Sequence, residues 1–261
     1  DSHREAIQVR NLLKKKKINL KIFTNKREIT KNVQANARNV RYEILYNYCK
    51  KHKVKTLLTA HNMEDQVETF LIRLSRGSGL KGLSAMKTVN KINSNLNLCR
   101  PLLDVKKKFL IKISKIYFGK YFNDPSNKNI KYLRTKVRNL KKPLENSGIK
   151  YEQIFRSIYN LSLSKATLDD YLKKICKELI KKKDKEIFID LKKYKSLNFD
   201  IKIALINHSI KQLRDNYYDL RSKKLENLIQ NLSKSNFKKS TLGGCIFFKK
   251  GKNLCLKVEK L

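Results

Sequence analysis

Acidic residues are scarce in this chain of 261 residues: 22 Asp plus Glu stand against 62 Lys plus Arg, a formal charge of +40. So one-sided a field disfavours cationic partners and favours a polyanion, with much of the affinity coming from phosphate contacts and counterion release. Drift of base composition toward Lys, Asn and Ile explains lysine in place of arginine, but not so few acids. The basic residues run along the whole chain instead of forming one amphipathic arm, which disfavours a membrane-surface helix. Paired cysteines are missing as well. Cys49, Cys99, Cys176, Cys245 and Cys255 are odd in number, widely spaced and contain no C-x-x-C, so a disulfide framework and paired-cysteine sulfur chemistry are both disfavoured. The expectation is a reduced, cytoplasmic chain. No run of about 18 apolar residues could span a bilayer, and no signal peptide is visible. Internal repeats and low-complexity linkers are absent too, and the length leaves room for two domains, each with its own core.

One stretch is dense in polar chemistry. It runs from Thr59-Ala60-His61-Asn62-Met63-Glu64-Asp65-Gln66-Val67-Glu68-Thr69 to Arg76-Gly77-Ser78-Gly79. The residues Val54 to Ala60 read as a buried strand, and after Asn62 the apolar spacing becomes helical. Asn62 suits an N-cap, and Asp65 three residues on can reach back to it as in a capping box. The helix is expected to stop near Arg76, with Gly77 supplying a left-handed C-cap. A strand delivering its chain to a helix N-terminus is where open α/β sheets bind ligands. There Asp65 and Glu68 share a helical face, close to His61. Three readings stay open on spacing alone. The acids could cap the helix and complement its dipole, they could form a reaction site, or they could join His61 around a metal ion. The remaining histidines are scattered and no cysteine is near, which weakens the metal reading without naming a metal.

The rest of the chain is organised around this stretch. Asp1 to Lys17 reads as a helix, Ile18 to Phe23 as an alternating strand, and Thr30 as the cap of a helix reaching Lys51. Arg38 and Arg41 lie three apart on that helix and share a face. A further strand is expected over Leu96 to Leu103, then a helix capped by Asp104 and ending near Phe118. The loop Asn123 to Asn127 is turn chemistry, and Lys131, Arg134 and Arg138 recur beyond it at helical spacing. Pro143 and Gly148 punctuate the chain at the expected domain boundary. A long helix from Ile149 to about Lys183, interrupted at most once, precedes a strand at Glu186 to Asp190. Helices over Asp200 to Asp215 and Asp219 to Ser233 follow, and the chain closes in a β-hairpin of Thr241 to Phe248 and Leu254 to Val258, turning at Gly251.

Taken together, His61…Glu64-Asp65…Glu68-Thr69…Arg76-Gly77-Ser78-Gly79…Gly82-Leu83…Met86 resembles the signature of the tRNA(Ile)-lysidine synthetases of the PP-loop ATPase superfamily. Gln34-Ala35-Asn36-Ala37-Arg38-Asn39-Val40-Arg41-Tyr42, Arg100-Pro101-Leu102-Leu103 and Asp124-Pro125-Ser126-Asn127, the last followed by Arg134 and Arg138, resemble further segments in that family's order. Leu242-Gly243-Gly244 is a looser match. One departure stands out: the S-G-G-x-D-S loop that wraps the ATP pyrophosphate in such enzymes occurs nowhere in this sequence, so no ATP P-loop residue is assigned. Ser2…Glu5-Ala6 is similar to a segment well downstream of that loop, and the chain starts at Asp1. An N-terminally truncated copy, lacking two strands and the nucleotide loop, is therefore expected.

The resemblance implies an α/β fold: a Rossmann-like, adenine-nucleotide alpha-hydrolase-type domain with an incomplete sheet over residues 1–145, and then a mainly helical domain over 146–261 ending in the β-hairpin. It implies ligation of L-lysine to the wobble cytidine in the CAU anticodon of tRNA(Ile), with ATP and Mg²⁺ as cofactors and an adenylated base as intermediate. Asp65, His61 and Glu68 are then the expected catalytic residues. Arg38, Arg41, Arg76 and Ser78 are expected to bind substrate, and Lys131, Arg134 and Arg138 to bind tRNA. Two other readings fit the same residues: a basic RNA-binding module without catalysis, and another PP-loop tRNA-modifying enzyme. A homodimer is compatible with the sequence, which does not fix the oligomeric state.

Overall fold

The computed structural model describes residues 2–25, 29, 33–123, 131–214, 223–234 and 237–259. Within them the chain forms two compact units, Asp1–Ser162 and Leu163–Leu261.

Unit 1 opens with helices α1 (Ser2–Lys14) and α2 (Val33–Lys51), and β1 (Thr56–Leu58) leads into α3 (Met63–Leu74). After the short α4 (Leu80–Leu83), the strands β2 (Val89–Asn93) and β3 (Leu96–Cys99) turn back toward β1. The three strands lie in the order β1-β3-β2, with β1 parallel and β2 antiparallel to β3. Because β1 and β3 run the same way, their C-terminal ends share one edge, and both His61 and Arg100 follow at that edge. Helices α5 (Lys107–Phe118), α6 (Leu133–Asn139), α7 (Lys141–Asn146) and the start of α8 (Tyr151–Leu179) complete the unit. Its apolar centre is small: Val67 of α3 packs with Tyr151, Ile154 and Ile158 of α8, flanked by Phe70, Leu71 and Leu144.

Unit 2 takes the rest of α8 and adds β4 (Ile180–Lys183), β5 (Glu186–Asp190), α9 (Leu191–Ser196), α10 (Phe199–Leu213), α11 (Lys223–Ser233), β6 (Lys239–Leu242), β7 (Cys245–Lys250) and β8 (Asn253–Val258). The five strands form one antiparallel sheet in the order β4-β5-β8-β7-β6. Alternation along β5 sends Ile187 and Ile189 into the core, and Phe247 on β7 and Leu254 and Leu256 on β8 meet them there. Leu205, Ile206 and Ile210 of α10 and Leu225, Leu228, Ile229 and Leu232 of α11 belong to the same cluster, the latter at the i, i+3, i+4, i+7 spacing of a helix stripe.

Several expectations change in detail. Ile18 to Phe23 alternates yet forms no strand; no strand pairs with it among the described residues, and Phe23 meets Tyr48 edge-on at 5.1 Å. The strand expected over Leu96 to Leu103 stops at Cys99, since Pro101 has no N–H for a ladder and residues 101–104 turn. Asp104 does not cap α5. That helix starts at Lys107, whose N–H donates to the Glu64 carboxylate at 2.8 Å, so a residue 43 positions away does the work of a local cap. The long helix ends at Leu179, and the residues beyond it become edge strand β4. The first arm of the expected terminal hairpin is two strands, divided where Gly243 and Gly244 take φ of +61° and +70°. The hairpin therefore sits inside a five-stranded sheet. The expected cap at Thr30, the loop at 124–127 and the start of the helix at Asp219 lie outside the described residues. All five cysteines are free, as expected.

Candidate active site

The site is assembled at the end of β1. Thr59 N–H still bonds to Cys99 O at 2.9 Å, extending the parallel pairing, and the chain then turns through His61 into α3. Both halves of a capping box are present: Asp65 N–H donates to Asn62 Oδ1 and Asn62 N–H donates to Asp65 Oδ2, each at 3.0 Å. Two of the orphan donors at the helix start are satisfied in this way. At the other end, Gly77 N–H meets Leu74 O and Ser78 N–H meets Arg73 O, with Gly77 at φ +66°, the bond pair of a Schellman ending.

The loop beyond Gly77 is tied back to α3 by polar side chains. The Gln66 amide bonds both the N–H and the C=O of Met86 at 2.8 Å, and Arg73 Nη1 donates to Gly82 O and Ala85 O. Gly82 has no room for a side chain, because a Cβ there would sit 2.6 Å from Ser78 Cβ. That contact accounts for the glycine.

The acidic face of α3 meets α6. Arg134 donates from Nε to Glu68 at 2.5 Å and from Nη2 to Asp65 at 2.6 Å, while Arg138 Nε donates to the other Glu68 oxygen at 2.6 Å. Carboxylates at i and i+3 thus face guanidiniums at i and i+4 across two packed helices. The Glu68 side chain is only 5% exposed, whereas Arg134 and Arg138 are 33% and 30% exposed. Glu68 is consequently an anchor inside the protein, with the outer parts of both guanidiniums reaching toward solvent. The Arg138 guanidinium is held more firmly charged than usual: burial opposes this, but the Glu68 hydrogen bond and the Glu68 and Asp65 charges outweigh it.

His61 stands beside this cluster with Nδ1 3.0 Å from Thr59 Oγ1. Its pKa is lowered, chiefly by burial; Asp65 opposes the shift, while Arg100, Arg38 and Arg134 add to it. The imidazole is therefore neutral at pH 7 and able to accept a proton. The same field places Arg38 and Arg100 near His61 and near Tyr46, whose hydroxyl is pushed up by burial.

The structure thus gathers His61, Asp65, Glu68, Arg134 and Arg138, with Arg38 within electrostatic reach. Arg41 and Arg76 are exposed, Ser78 is half-buried in the Schellman turn, and Lys131 is exposed ahead of α6. Among the described bonds, none brings Arg41, Arg76 or Ser78 onto the carboxylates. Two further residues belong to the surroundings without having been expected there. Arg100, 7% exposed, donates from Nη1 to Lys87 O at 2.9 Å, and its buried Nε has no partner among the described residues. Tyr151, 2% exposed, lies near Glu68, Glu145 and Glu64, and its pKa is pushed up to about 12 by burial and then by those carboxylates. Arg100 was marked only by its Arg-Pro-Leu-Leu setting. Tyr151 carries no local signal, since a tyrosine at a helix start reads as surface.

Among the described residues no group of three or more His, Cys, Asp and Glu could hold a metal ion. The donor set does not fit Mg²⁺: the observed bonds to Asp65 and Glu68 come from N–H groups on both oxygens of each carboxylate.

A family model for the PP-loop domain matches residues 1–144, more than half of the sequence. The chain belongs to the PP-loop family. The PP-loop chain is 34% identical over 233 residues to the tRNA(Ile)-lysidine synthase of Wolbachia pipientis wMel, an alignment covering 88% of this chain and 54% of that protein. It is 32% identical to the enzyme of the same name from Rickettsia typhi, covering 91% and 54%, and 47% identical to that of Orientia tsutsugamushi over 116 residues, covering 44% and 26%. It spans about half the length of the first two of these curated relatives. No helix among the described residues is long and apolar enough to cross a membrane.

Proposed function

We propose that this PP-loop chain is the part of a cytoplasmic tRNA(Ile)-lysidine synthetase that receives the wobble cytidine of the CAU anticodon and the incoming L-lysine. The observation that supports it most directly is the joint placement of His61, Asp65, Glu68, Arg134 and Arg138 at the C-terminal edge of the parallel strands, where α/β sheets take ligands. The base must leave its stack to react, and the exposed sides of Arg134 and Arg138 are suited to its phosphates and carbonyl oxygen. Neutral His61 is positioned to take a proton from the lysine amine, which is a nucleophile only when deprotonated. Asp65 recognises a lysine ammonium by exchanging its Arg134 contact for it, and the buried Glu68 keeps both arginines in place during that exchange.

ATP is the co-substrate such a ligation draws on, with Mg²⁺ as its counter-ion. The glycine-rich loop that wraps the pyrophosphate has no counterpart in this sequence and the carboxylates do not fit the metal, so no step here runs through either. Incubating the chain, with a glycine-rich pyrophosphate loop of this enzyme class joined ahead of Asp1, with unmodified CAU-anticodon tRNA, ATP and labelled lysine tests the reading. Lysine should enter the tRNA and Asp65→Asn should abolish incorporation; unchanged incorporation by that variant removes Asp65 from the site. A second reading, an RNA-binding module without catalysis, is favoured by the engagement of the carboxylate oxygens with arginines. Tight tRNA binding with no incorporation by the joined chain selects it.

A further inference from the structure

Helix α5 has one of the most exposed apolar faces in unit 1. Phe109, Ile113, Ile116 and Tyr117 are 50%, 49%, 66% and 62% exposed, and they recur at i, i+4, i+7 and i+8, within one face of roughly 100°. The opposite face, Leu110, Ile111, Ser114 and Phe118, is the half-buried one, so the helix is already seated and the exposed stripe is additional. Gly119 ends it in the left-handed conformation at φ +75°, and Ser114 Oγ bonds Lys120 O at 2.8 Å. This brings Tyr121, 43% exposed, back beside Lys115.

Charge decides what kind of partner suits the stripe. From Val105 to Phe122 there are six lysines and no acid. Lys108 Nζ lies 5.3 Å from the Phe109 ring centroid and Lys115 Nζ 5.8 Å from that of Tyr121. Rings bordered by ammonium groups are what a stacked base and its adjoining phosphate require. A second copy of a chain this basic would bring lysine against lysine.

Position argues in the same direction. The first turn of α5 is fixed to the start of α3 by two bonds, Lys107 N–H to Glu64 at 2.8 Å and Met63 N–H to Val105 O at 3.0 Å. The stripe therefore begins at Phe109, two residues beyond the Lys107 N–H that Glu64, the neighbour of Asp65, holds; this puts it beside the candidate site, where a polynucleotide entering that site would pass.

We propose that α5 and Tyr121 form a stacking surface for unpaired RNA nucleotides, with Lys108, Lys112 and Lys115 holding their phosphates. The inference rests on the tRNA reading above and adds to it the surface that grips the strand. The test uses the whole 261-residue chain and three RNAs: unmodified CAU-anticodon tRNA, its isolated anticodon stem-loop, and a blunt duplex of the stem sequence. Phe109→Ala combined with Tyr117→Ala is expected to weaken stem-loop binding by about tenfold, given base–aromatic stacking energies, with duplex binding unchanged. Tyr117→Phe should bind as the parent does. Lys112→Gln with Lys115→Gln should weaken all three RNAs and lower the log–log salt slope on the stem-loop by about 1.4.

Thermal melting of each variant verifies folding, and because all substituted side chains are exposed the parent melting temperature is expected. If the ring variants bind every RNA as tightly as the parent, the stacking surface is wrong while the tRNA reading stands. A parent chain that fails to bind the tRNA at all removes both. A parental dimer that Ile113→Asp dissociates without changing RNA affinity assigns the stripe to self-association and overturns the proposal. So does parental binding to anionic vesicles that is lost in the ring variants while RNA binding persists.

Discussion

The two units keep different things from water. In unit 2 the cluster of buried residues is almost wholly apolar, with Ile187, Ile189, Leu205, Ile206, Phe247, Leu254 and Leu256 fully inaccessible. Among the described residues, unit 1 has an apolar cluster of four buried residues and six of the eight buried polar or charged side chains: Asn62, Gln66, Glu68, Ser84, Arg100 and Thr135. A core of hydrocarbon is stabilised by area and packing, which are non-directional and tolerate repacking. A core of amides, carboxylates and guanidiniums is stable only when each group finds its partner, and it specifies where those groups point. Unit 1 has the arrangement expected of a region that presents chemistry, and unit 2 that of a scaffold.

The sharpest way to break this contrast is to damage each core in its own terms. Phe247→Ala in unit 2 removes a fully buried ring, and about 3–5 kcal/mol of stability should be lost in denaturant unfolding. A cost below 1 kcal/mol would show that the apolar core is not what stabilises that unit. In unit 1, Arg134→Ala with Arg138→Ala strands the Glu68 charge, and a loss of about 3 kcal/mol is expected. The same double variant combined with Glu68→Leu should recover a good part of it, since the buried charge is gone. No recovery would mean that the arginines act through something other than Glu68.

Smaller effects probe how α3 is placed. Asn62→Ala removes one half of the capping box and should cost about 1 kcal/mol, read by chemical denaturation. The pH profile separates the units least but tests the field at the site. His61 is neutral in the folded protein with a pKa below its ordinary 6.5, so its contribution to stability is complete above pH 6.5. That contribution is lost as pH falls through 6.5 toward the lower folded value. His208, lowered by burial and by Lys211, acts in the same direction in unit 2. A histidine NMR titration should place His61 below 6.5, and Asp65→Asn should lower it further, because Asp65 is the group that raises it. An upward movement would contradict the placement of Asp65 beside the ring.

What could be read without coordinates was local. The capping box at Asn62 and Asp65, the left-handed Gly77 and the helix ending at Ser233 depend on neighbours within a few positions, and alternation along Glu186 to Asp190 is enough to expect β5. Ile18 to Phe23 shows the limit of that kind of evidence. It alternates as well as β5 does, yet a strand exists only where another strand offers its backbone groups. The start of α5 was missed for the complementary reason: Asp104 is a good local cap, but Glu64 supplies the acceptor from another helix.

For the candidate site, the sequence by itself determined which side chains would share a helix face: Asp65 with Glu68, and Arg134 with Arg138. Periodicity along one helix is enough for that. Only the tertiary structure decided that these two faces meet, that Glu68 is sealed beneath the pair of guanidiniums, that Tyr151 lies near Glu68, and that Arg100 comes within reach of His61. Partners about 70 residues apart are chosen by packing and by the need to pair buried charge, and neither leaves a periodic trace in the chain.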